Sequence, residues 1–539
     1  MDESISPPEP AQRPAALVFA DQVLDAGSFR SWDDPPRHPV DGPYAADLAR
    51  ARARSGADEA ALTGEGYLAG HRVAVLLSEF TFLAGSIGTA TAARLLRAVE
   101  RATAERLPLI AFPASGGTRM QEGTPAFVRM VAIANAVAAH RAAGLPYLVH
   151  LRHPTTGGVL ASWGSLGQLT TAEPDALVGF LGPRVYQALY GAPFPEGVQR
   201  AEHLELFGTV DAVLAPAALR AHLADTLTIL AGSATDGAAE QRARDEVATG
   251  QRTRDEVATE PRTPEPAGSP AHPPVWRSVT LTRDPGRPGL AQLLGAADRL
   301  VRLHGTGAGE RDDALTLALA RFGRTGCVVV GHDRATAARS GPVGPAALRT
   351  ARRGMRLATE LRLPLLTVID THGALLSPAA EEGALAGEIA RCVAELSALA
   401  TPVVSLLLGE GAGGAALALL PADRAVAAEH AWLSPLPPEG ASVILHRTPD
   451  LAPGLAEQQR IGAAELLREG VIDRVLPEPR PASEEPAAFV RRVLAAVEAE
   501  LAAAALAPPG ARVDRFRRLA DRPDQEAAAA DPWDVGGAP

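Results

Sequence analysis

Lysine is absent from this 539-residue sequence, so each of its 52 basic side chains is an arginine. The absence excludes a phosphate-binding loop that depends on lysine, and it excludes Schiff-base catalysis. It also excludes any cofactor attached to a lysine within these residues. Several enzyme classes are therefore removed before any motif is considered.

Cysteine and uninterrupted hydrophobic runs are scarce as well. Cys327 and Cys392 are the two cysteines, so neither a disulfide framework nor a four-cysteine zinc site is available. The most apolar stretch, 402–420, contains Glu410 and a cluster of glycines, which indicates a buried strand and helix rather than a membrane span. The first residues lack the basic start and apolar core of a signal peptide. These features predict a cytoplasmic protein with no membrane partner and no metal ion.

The chain is acidic, with a formal net charge of −11. Nucleic acids and anionic membranes attract surfaces of the opposite sign, so no nucleic acid is predicted as a partner. Local arginines can still bind the phosphate groups of a small ligand. Arg119, Arg184 and Arg334 are the candidates for such a contact, and ordinary ion pairs or exposed positions are the alternative.

The composition changes sharply in the middle of the chain. Residues 231–274 are rich in Ala, Thr, Glu, Arg and Pro and contain the tandem repeat QRARDEVATG and QRTRDEVATE. This composition is typical of a disordered linker. We therefore predict one domain over 15–230 and a second over 275–505. Residues 1–14 are predicted as a disordered N-terminus and 506–539 as a C-terminal tail.

The two predicted domains share an internal repeat. RLPLIAFPASGG, from Arg106, resembles RLPLLTVIDTHG, from Arg362, and the same offset of 256 residues recurs further on. This register pairs Pro108 with Pro364, Pro146 with Pro402, Gly157 with Gly413, Gly158 with Gly414 and Glu173 with Glu429. Two homologous domains in one chain are the economical explanation.

Each repeat alternates short apolar runs with segments of helical spacing. Such alternation predicts an α/β fold. The predicted strands are 73–77, 107–112 and 145–151 in the first domain, and 327–330, 363–369 and 402–408 in the second. Apolar residues at helical spacing predict a helix around Phe127 and another around Leu385.

Adjacent glycines follow these apolar runs. If they open helices, their backbone N–H groups stabilise a negative oxygen placed there. The alternative is that the glycines only permit tight turns between strand and helix. His153, His372 and His430 lie near these turns, either as catalytic bases or as structural histidines. The residues of the three turns are Gly116 and Gly117, Gly157 and Gly158, and Gly413, Gly414 and Ala415.

Longer motifs resemble a known family. The stretches around FPASGGTRMQEG, HPTTGGVLASWGSLGQLTTAEPDALVGFLGPRV and ELFGTVDAVL resemble the β subunit of bacterial acetyl-CoA carboxylase carboxyltransferase. The stretches LPLLTVIDTHGA, GEGAGGAALALL and AAELLREGVID resemble its α subunit. The resemblance covers roughly 15–230 and 275–480.

The resemblance implies two crotonase-like (ClpP/crotonase) ββα-spiral domains in tandem. The N-terminal domain would bind acetyl-CoA or another short acyl-CoA, and the C-terminal domain would receive carboxybiotin. In this family, domains of opposite type meet across a dimer. Carboxybiotin releases its carboxyl group, the ureido anion takes the α proton of the acyl-CoA, and the thioester enolate attacks the carboxyl carbon. The product with acetyl-CoA is malonyl-CoA, for fatty acid biosynthesis.

The resemblance also implies roles for single residues. Gly116 and Gly117 would hold the thioester oxygen, and Gly414 and Ala415 the ureido oxygen. The residues implied in substrate binding are Gly157, Gly158, Gly373, Gly413 and Arg119. Because lysine is absent, biotin must arrive on a separate carrier protein, with a biotin carboxylase as a further partner. A homo-oligomer, a dimer or larger, is expected.

The sequence differs from the family pattern at several places. The zinc ribbon of the β subunit is absent, so no zinc is expected. His372 stands where proline is common, and Ala412 where glycine is usual. These differences keep open a non-catalytic paralogue that serves as an assembly subunit. A biotin-dependent acyl-CoA decarboxylase carboxyltransferase, which runs the same chemistry in reverse, is the other alternative. A crotonase-type hydratase fits less well because no clear acidic pair lies in the turns.

Overall fold

A computed structural model of the protein describes residues 13–38, 42–228, 230, 275–308, 310–508 and 510–521. The strands are β1 (Arg30–Ser31), β2 (Ala61–Leu68), β3 (His71–Ser78), β4 (Leu109–Phe112), β5 (Tyr147–Leu151), β6 (Thr155–Thr156), β7 (Leu169–Ala172), β8 (Val178–Gly179), β9 (Ala212–Val213), β10 (Arg299–Leu303), β11 (Leu315–Phe322), β12 (Thr325–His332), β13 (Leu365–Thr371), β14 (Val403–Ala412), β15 (Arg424–Ala428), β16 (Trp432–Ser434) and β17 (Arg474–Leu476).

The helices pack around these strands. They are α1 (Ala15–Val23), α2 (Gly42–Ser55), α3 (Thr89–Ala104), α4 (Gly123–Ala142), α5 (Pro183–Tyr190), α6 (Ala201–Leu206), α7 (216–228), α8 (Val275–Thr282), α9 (Leu290–Gly295), α10 (Arg334–Ser340), α11 (Pro345–Leu361), α12 (Pro378–Glu382), α13 (Leu385–Ala398), α14 (Gly413–Leu417), α15 (Pro438–His446), α16 (Ala452–Gln458), α17 (Ala463–Glu469), α18 (Pro486–Ala504) and α19 (Ala511–Asp521).

Two mixed sheets form the framework, one before residue 231 and one after residue 274. The first has the order β1-β2-β3-β4-β5-β7-β9, and the second β10-β11-β12-β13-β14-β15-β17. In both, the first three strands are antiparallel neighbours and the later strands are parallel. The pair Leu109 with Tyr147 recurs as Leu365 with Val403, in the register of the sequence repeat. The predicted α/β fold is confirmed.

The central parallel strands are buried along their whole length, as is typical of a sheet with both faces covered. Every residue of β4, β5, β13 and β14 is buried. All six predicted apolar runs are strands in the structure, as β3, β4, β5, β12, β13 and β14. Continuous apolar runs of this length therefore predicted the strands correctly.

Helix α4 lies between the two halves of the chain. Residues on every face of this helix are buried, because α3 of the first half and α13 and α19 of the second half pack against it. A helix that is apolar on all sides is typical of such a central position. The helix predicted around Phe127 is confirmed, but it begins at Gly123 and not directly after Gly117. One hydrophobic core cluster consequently includes residues of both halves.

The predicted boundaries fall partly outside the described residues. Residues 231–274 and 1–12 lie outside them, so the linker and the disordered N-terminus stay predictions. The segment predicted as a C-terminal tail contains helix α19, which packs against α4. Within the described residues, no helix is both long and apolar enough to cross a membrane.

Candidate active site

A large cavity lies between the two halves of a single chain. Its volume is about 1010 Å³, and apolar side chains and glycines form most of its wall. The predicted site residues that line it are Gly116, Gly117, Gly157, Gly158, Gly373, Gly413 and Gly414. Within the chain the two halves contact each other directly, since α4 packs on α13. The contact of opposite domains across a dimer, which the resemblance implied, stays a prediction.

In the first half, two glycine turns lie against each other. A Cβ atom placed on Gly117 would lie 3.2 Å from Gly157 Cα, and Gly117 has a φ of +109°. A side chain would therefore be both crowded and strained at this position. A bridge between Ser115 and Thr155 ties the two segments together. The glycines thus allow two backbones to approach closely at the cavity wall.

Most of the amides in these turns already have acceptors. The N–H of Gly116 donates to Ala84 O at 2.8 Å, and that of Gly157 donates to Phe180 O at 2.9 Å. The N–H of Gly117 donates to Ser115 Oγ at 3.0 Å. The expected pair of free donors at 116 and 117 is therefore wrong, because the helix that would have freed them starts later. Among the described residues, no acceptor bonds the N–H of Gly158.

The turn of the second half does open a helix. Strand β14 ends at Ala412 and α14 starts at Gly413, which has a φ of +66°. First-turn amides have no acceptor within their own helix. Gly413 and Gly414 line the cavity, but Ala415 is fully buried and does not.

Gly373 is less available as a donor. Its N–H donates to Thr371 Oγ1 at 3.1 Å. The glycine still lines the cavity, where its φ of +130° suits a residue without a side chain. It therefore shapes the wall more than it offers a hydrogen bond.

Two of the histidines noted in the sequence line the cavity, one from each half. His153 is exposed, and its Nδ1 accepts the N–H of Leu177 at 3.1 Å. His372 is 61% exposed and its Nδ1 forms an ion pair with the buried carboxylate of Glu410. The hydrogen bond to Glu410 raises the pKa of His372 above its usual value, against the effect of burial. His430 is buried elsewhere and hydrogen-bonded to Ser278 Oγ.

Glu410 belongs to a chain of charged groups behind the cavity wall. Arg283 Nε lies 2.7 Å from Glu410 Oε1, and Arg283 also pairs with Glu439. Burial alone would raise the pKa of Glu410, but His372 and Arg283 lower it below its usual value. The carboxylate therefore stays ionised and favours the cationic form of His372.

Arg119 does not reach the cavity. Its guanidinium is fully buried, with Nη2 at 2.5 Å from Glu59 Oε1 and Nη1 at 3.3 Å from Glu122 Oε1. Burial would raise the pKa of Glu59, but Arg119 lowers it to about 2. The expected contact of Arg119 with substrate is corrected by this burial, because every face of the guanidinium is already used. Its ion pairs hold the segment that precedes α4.

Sequence reasoning missed Phe180, which lines the cavity and contacts both Gly157 of the first half and Gly414 of the second. A Cβ placed on Gly414 would lie 3.0 Å from Phe180 Cζ, so the ring packs against that glycine. Nothing in the local sequence LVGFLGPR predicts that this phenylalanine lines the cavity. Only the contact of the two halves reveals it.

The carboxyl transferase domain model matches residues 11–502 of the chain. The chain belongs to the carboxyl transferase family. The chain is 54% identical over 510 residues to a probable biotin-dependent acyl-coenzyme A carboxylase beta3 subunit of Mycobacterium tuberculosis H37Rv, covering 92% of this chain and 97% of the relative. It is 39% identical over 511 residues to the acetyl-coenzyme A carboxylase carboxyl transferase subunits beta/alpha of Salinispora arenicola, covering 92% of this chain and 88% of that one.

Among solved structures, the transcarboxylase 12S hexamer aligns with this carboxyl transferase at a TM-score of 0.34 and 19% identity, over 90% of this chain and 89% of that one. The family model and the relative that is 54% identical confirm membership of the carboxyl transferase family, the coarser part of what the sequence motifs predicted. No group of three or more His, Cys, Asp or Glu side chains is arranged to hold a metal ion within the described parts of the carboxyl transferase.

Proposed function

We propose that the protein is the carboxyltransferase component of a biotin-dependent acyl-CoA carboxylase. In this proposal it moves a carboxyl group from carboxybiotin to acetyl-CoA or another short acyl-CoA. The observation that carries the proposal is the single cavity lined by glycine turns of both halves. Its volume suits two substrates that meet end to end. The glycine turns on its two sides, Gly157–Gly158 and Gly413–Gly414, are equivalent positions of the sequence repeat.

The names of the relatives support the two substrates. The beta3 subunit that is 54% identical is named for an acyl-coenzyme A carboxylase with no acyl group given. The beta/alpha subunits that are 39% identical are named for acetyl-coenzyme A. We infer acetyl-CoA as acceptor and malonyl-CoA as product on this basis. Two crotonase-like domains in tandem agree with the repeated strand order of the sheets.

Backbone amides would provide the stabilisation that this chemistry needs. Bound carboxybiotin supplies the carboxyl group. We propose that the free N–H of Gly158 donates to the thioester oxygen as negative charge develops there, in place of Gly116 and Gly117. We propose that Gly414, in the first turn of α14, donates to the ureido oxygen. Each such donor contributes about 3 to 4 kcal/mol to a transition state in known acyl-transfer sites.

The cavity wall fits these groups. The ureido ring is uncharged, and the ionisable side chains at the wall are limited, within the described residues, to His153 and His372. Biotin comes on a separate carrier protein, since the 539 residues contain no lysine to which it would attach. Homo-oligomers and a partner biotin carboxylase are part of the same proposal.

The reverse reaction tests the function with few components. The chain is incubated with malonyl-CoA and biocytin, and acetyl-CoA formation is followed by mass spectrometry. We expect acetyl-CoA that depends on biocytin, because biocytin replaces the carrier as acceptor of the carboxyl group. A reaction without biocytin and a boiled sample serve as controls.

Other 2-carboxyacyl-CoA thioesters are then compared at equal concentration. Faster turnover of a longer thioester would contradict acetyl-CoA as the acceptor and leave the carboxyltransferase assignment in place. A chain that transfers no carboxyl group from any of the thioesters would contradict the proposed function and favour an assembly subunit.

A further inference from the structure

Phe180 contacts the Gly157–Gly158 turn of the first half through its backbone and the Gly413–Gly414 turn of the second half through its ring. Its carbonyl oxygen accepts the N–H of Gly157 at 2.9 Å. Its ring lies against Gly414, where an added Cβ would be 3.0 Å from Cζ. A shift of Phe180 would therefore move the Gly157–Gly158 turn and the Gly414 turn relative to each other.

A buried carboxyl group from the second half holds Phe180 in place. The N–H of Phe180 donates to Glu381 Oε1 at 2.8 Å and to Oε2 at 3.0 Å. Gln199 Nε2 donates to Glu381 Oε1 at 2.7 Å and to Leu181 O at 2.8 Å. Glu381 lies at the end of α12, so it links the second half to the segment that carries Phe180.

The surroundings of Glu381 give this contact little freedom. Gly179 precedes Phe180, and a Cβ there would lie 2.3 Å from Gln199 Nε2. Glu381 is 7% exposed and borders a cavity of about 210 Å³ between the halves. The hydrogen bonds of Glu381 therefore lie buried in the interface between the halves and are not a surface contact.

We propose that Glu381 is a positioning residue of the transfer reaction, which fixes the distance between the two glycine turns by holding the main chain of Phe180. The proposal rests on the proposed function, because it assigns the turns to two substrates. Glu381 does not line the large cavity, and it acts through Phe180.

Titration of Glu381 gives the contact a pH dependence. Burial raises the pKa of Glu381 to about 7, against the hydrogen bonds from Gln199 and Phe180. The other charged groups that face this region are Asp211 and Arg391 on the cavity wall and the His203–Glu382 pair beside it. The ionised carboxylate accepts hydrogen bonds from both N–H donors, Phe180 and Gln199, whereas the acid carries a proton on one oxygen. The contact is therefore strongest above pH 7.

The stability effect has the opposite sign. Because the folded pKa is raised, the contribution of this group to stability is fully present below about pH 4.5 and is lost as the pH rises through about 7. A neutral amide at this position removes the cost of the buried charge. Activity and stability of a Gln variant are thus expected to change in different directions at pH 8.

The test compares Glu381→Gln, Glu381→Ala and Glu382→Ala in the full chain, using biocytin and malonyl-CoA. At pH 8 we expect Glu381→Ala to lower kcat about 10- to 100-fold with little change in KM, since a small misplacement of reacting groups has effects of this size. Glu381→Gln keeps one acceptor oxygen and should restore part of kcat, without the rise in wild-type kcat between pH 6 and pH 8. Its melting temperature should equal or exceed that of the wild type.

Hydrogen exchange gives a readout independent of turnover. The peptide that contains Phe180 should exchange faster in Glu381→Ala than in the wild type, and Glu382→Ala should match the wild type in both exchange and kcat. The proposal is overturned if kcat of Glu381→Ala stays within twofold of the wild type, or if Glu381→Gln loses stability and kcat together. If the wild type itself transfers no carboxyl group, the proposed function fails, and unchanged exchange at Phe180 would separately refute the contact.

Discussion

At the scale of single residues, burial separates the roles of two cationic side chains near the glycine turns. The buried guanidinium of Arg119 pairs with Glu59 and Glu122 and therefore has a structural role. His372 pairs with a buried carboxylate but keeps most of its ring exposed in the cavity. The exposed part of the ring is therefore available to a bound substrate, and its charge depends on pH.

We predict that His372 titrates above the ordinary histidine pKa of about 6.5, because its hydrogen bond to Glu410 favours the cationic form. The ion pair stabilises the fold fully below pH 6.5, and its contribution is lost as the pH rises through the raised pKa. NMR titration of histidine-labelled protein measures this pKa, and His372→Asn assigns the signal. Glu410→Gln should bring the value down, and an unchanged value would contradict the ion pair.

At the scale of elements, the passage from β14 into α14 decides what the second glycine turn can do. The helix follows the strand with no loop between them, and Gly413 and Gly414 in its first turn line the cavity. In the first half, five residues lie between Gly116 and Glu122, the residue before α4, and the N–H groups of Gly116 and Gly117 already donate to Ala84 O and Ser115 Oγ. The repeat of the sequence therefore does not make the two turns equivalent.

We predict that Gly414→Ala lowers carboxyl transfer about 100-fold, because its Cβ would lie 2.8 Å from Ile389 Cδ1 and 3.0 Å from Phe180 Cζ and would push both away. The biocytin assay measures the rate, and circular dichroism checks the fold. Gly454→Ala in α16 is the matched control, since its Cβ meets nothing within 4 Å. A wild-type rate in Gly414→Ala would show that this turn is not close to the reacting groups.

At the scale of the whole molecule, α4 and α19 join the halves into one core. Arg129 Nε of α4 donates to Leu519 O of α19 at 2.8 Å. Thr124 Oγ1 donates to Leu433 O at 2.7 Å, and Gln459 Nε2 donates to Met120 O at 2.9 Å. The cavity between the halves depends on this packing, so the site and the interface should be stable or unstable together.

We predict that Phe516→Ala, in α19, destabilises the protein by about 3 to 5 kcal/mol, since Phe516 is 1% exposed in the shared core. Hydrogen exchange should then show loss of protection in α4 as well as in α19, because the two helices pack together. Val513→Ala on the same helix is the control, as that side chain is 37% exposed. Loss of protection confined to α19 would contradict a core common to both halves.

The sequence by itself determined the strands, the repeat, the glycine turns and the family. These follow from local patterns, since an apolar run such as 403–408 or a glycine pair such as Gly157–Gly158 needs only its neighbours in the chain to be recognised. Only the tertiary structure decided which amides are free. The acceptor of Gly116 is at Ala84, that of Gly157 is at Phe180, and the carboxylate that buries Arg119 is at Glu59. These contacts join segments of the first half that are distant in sequence, so they depend on how its strands and loops pack, and no local pattern encodes them.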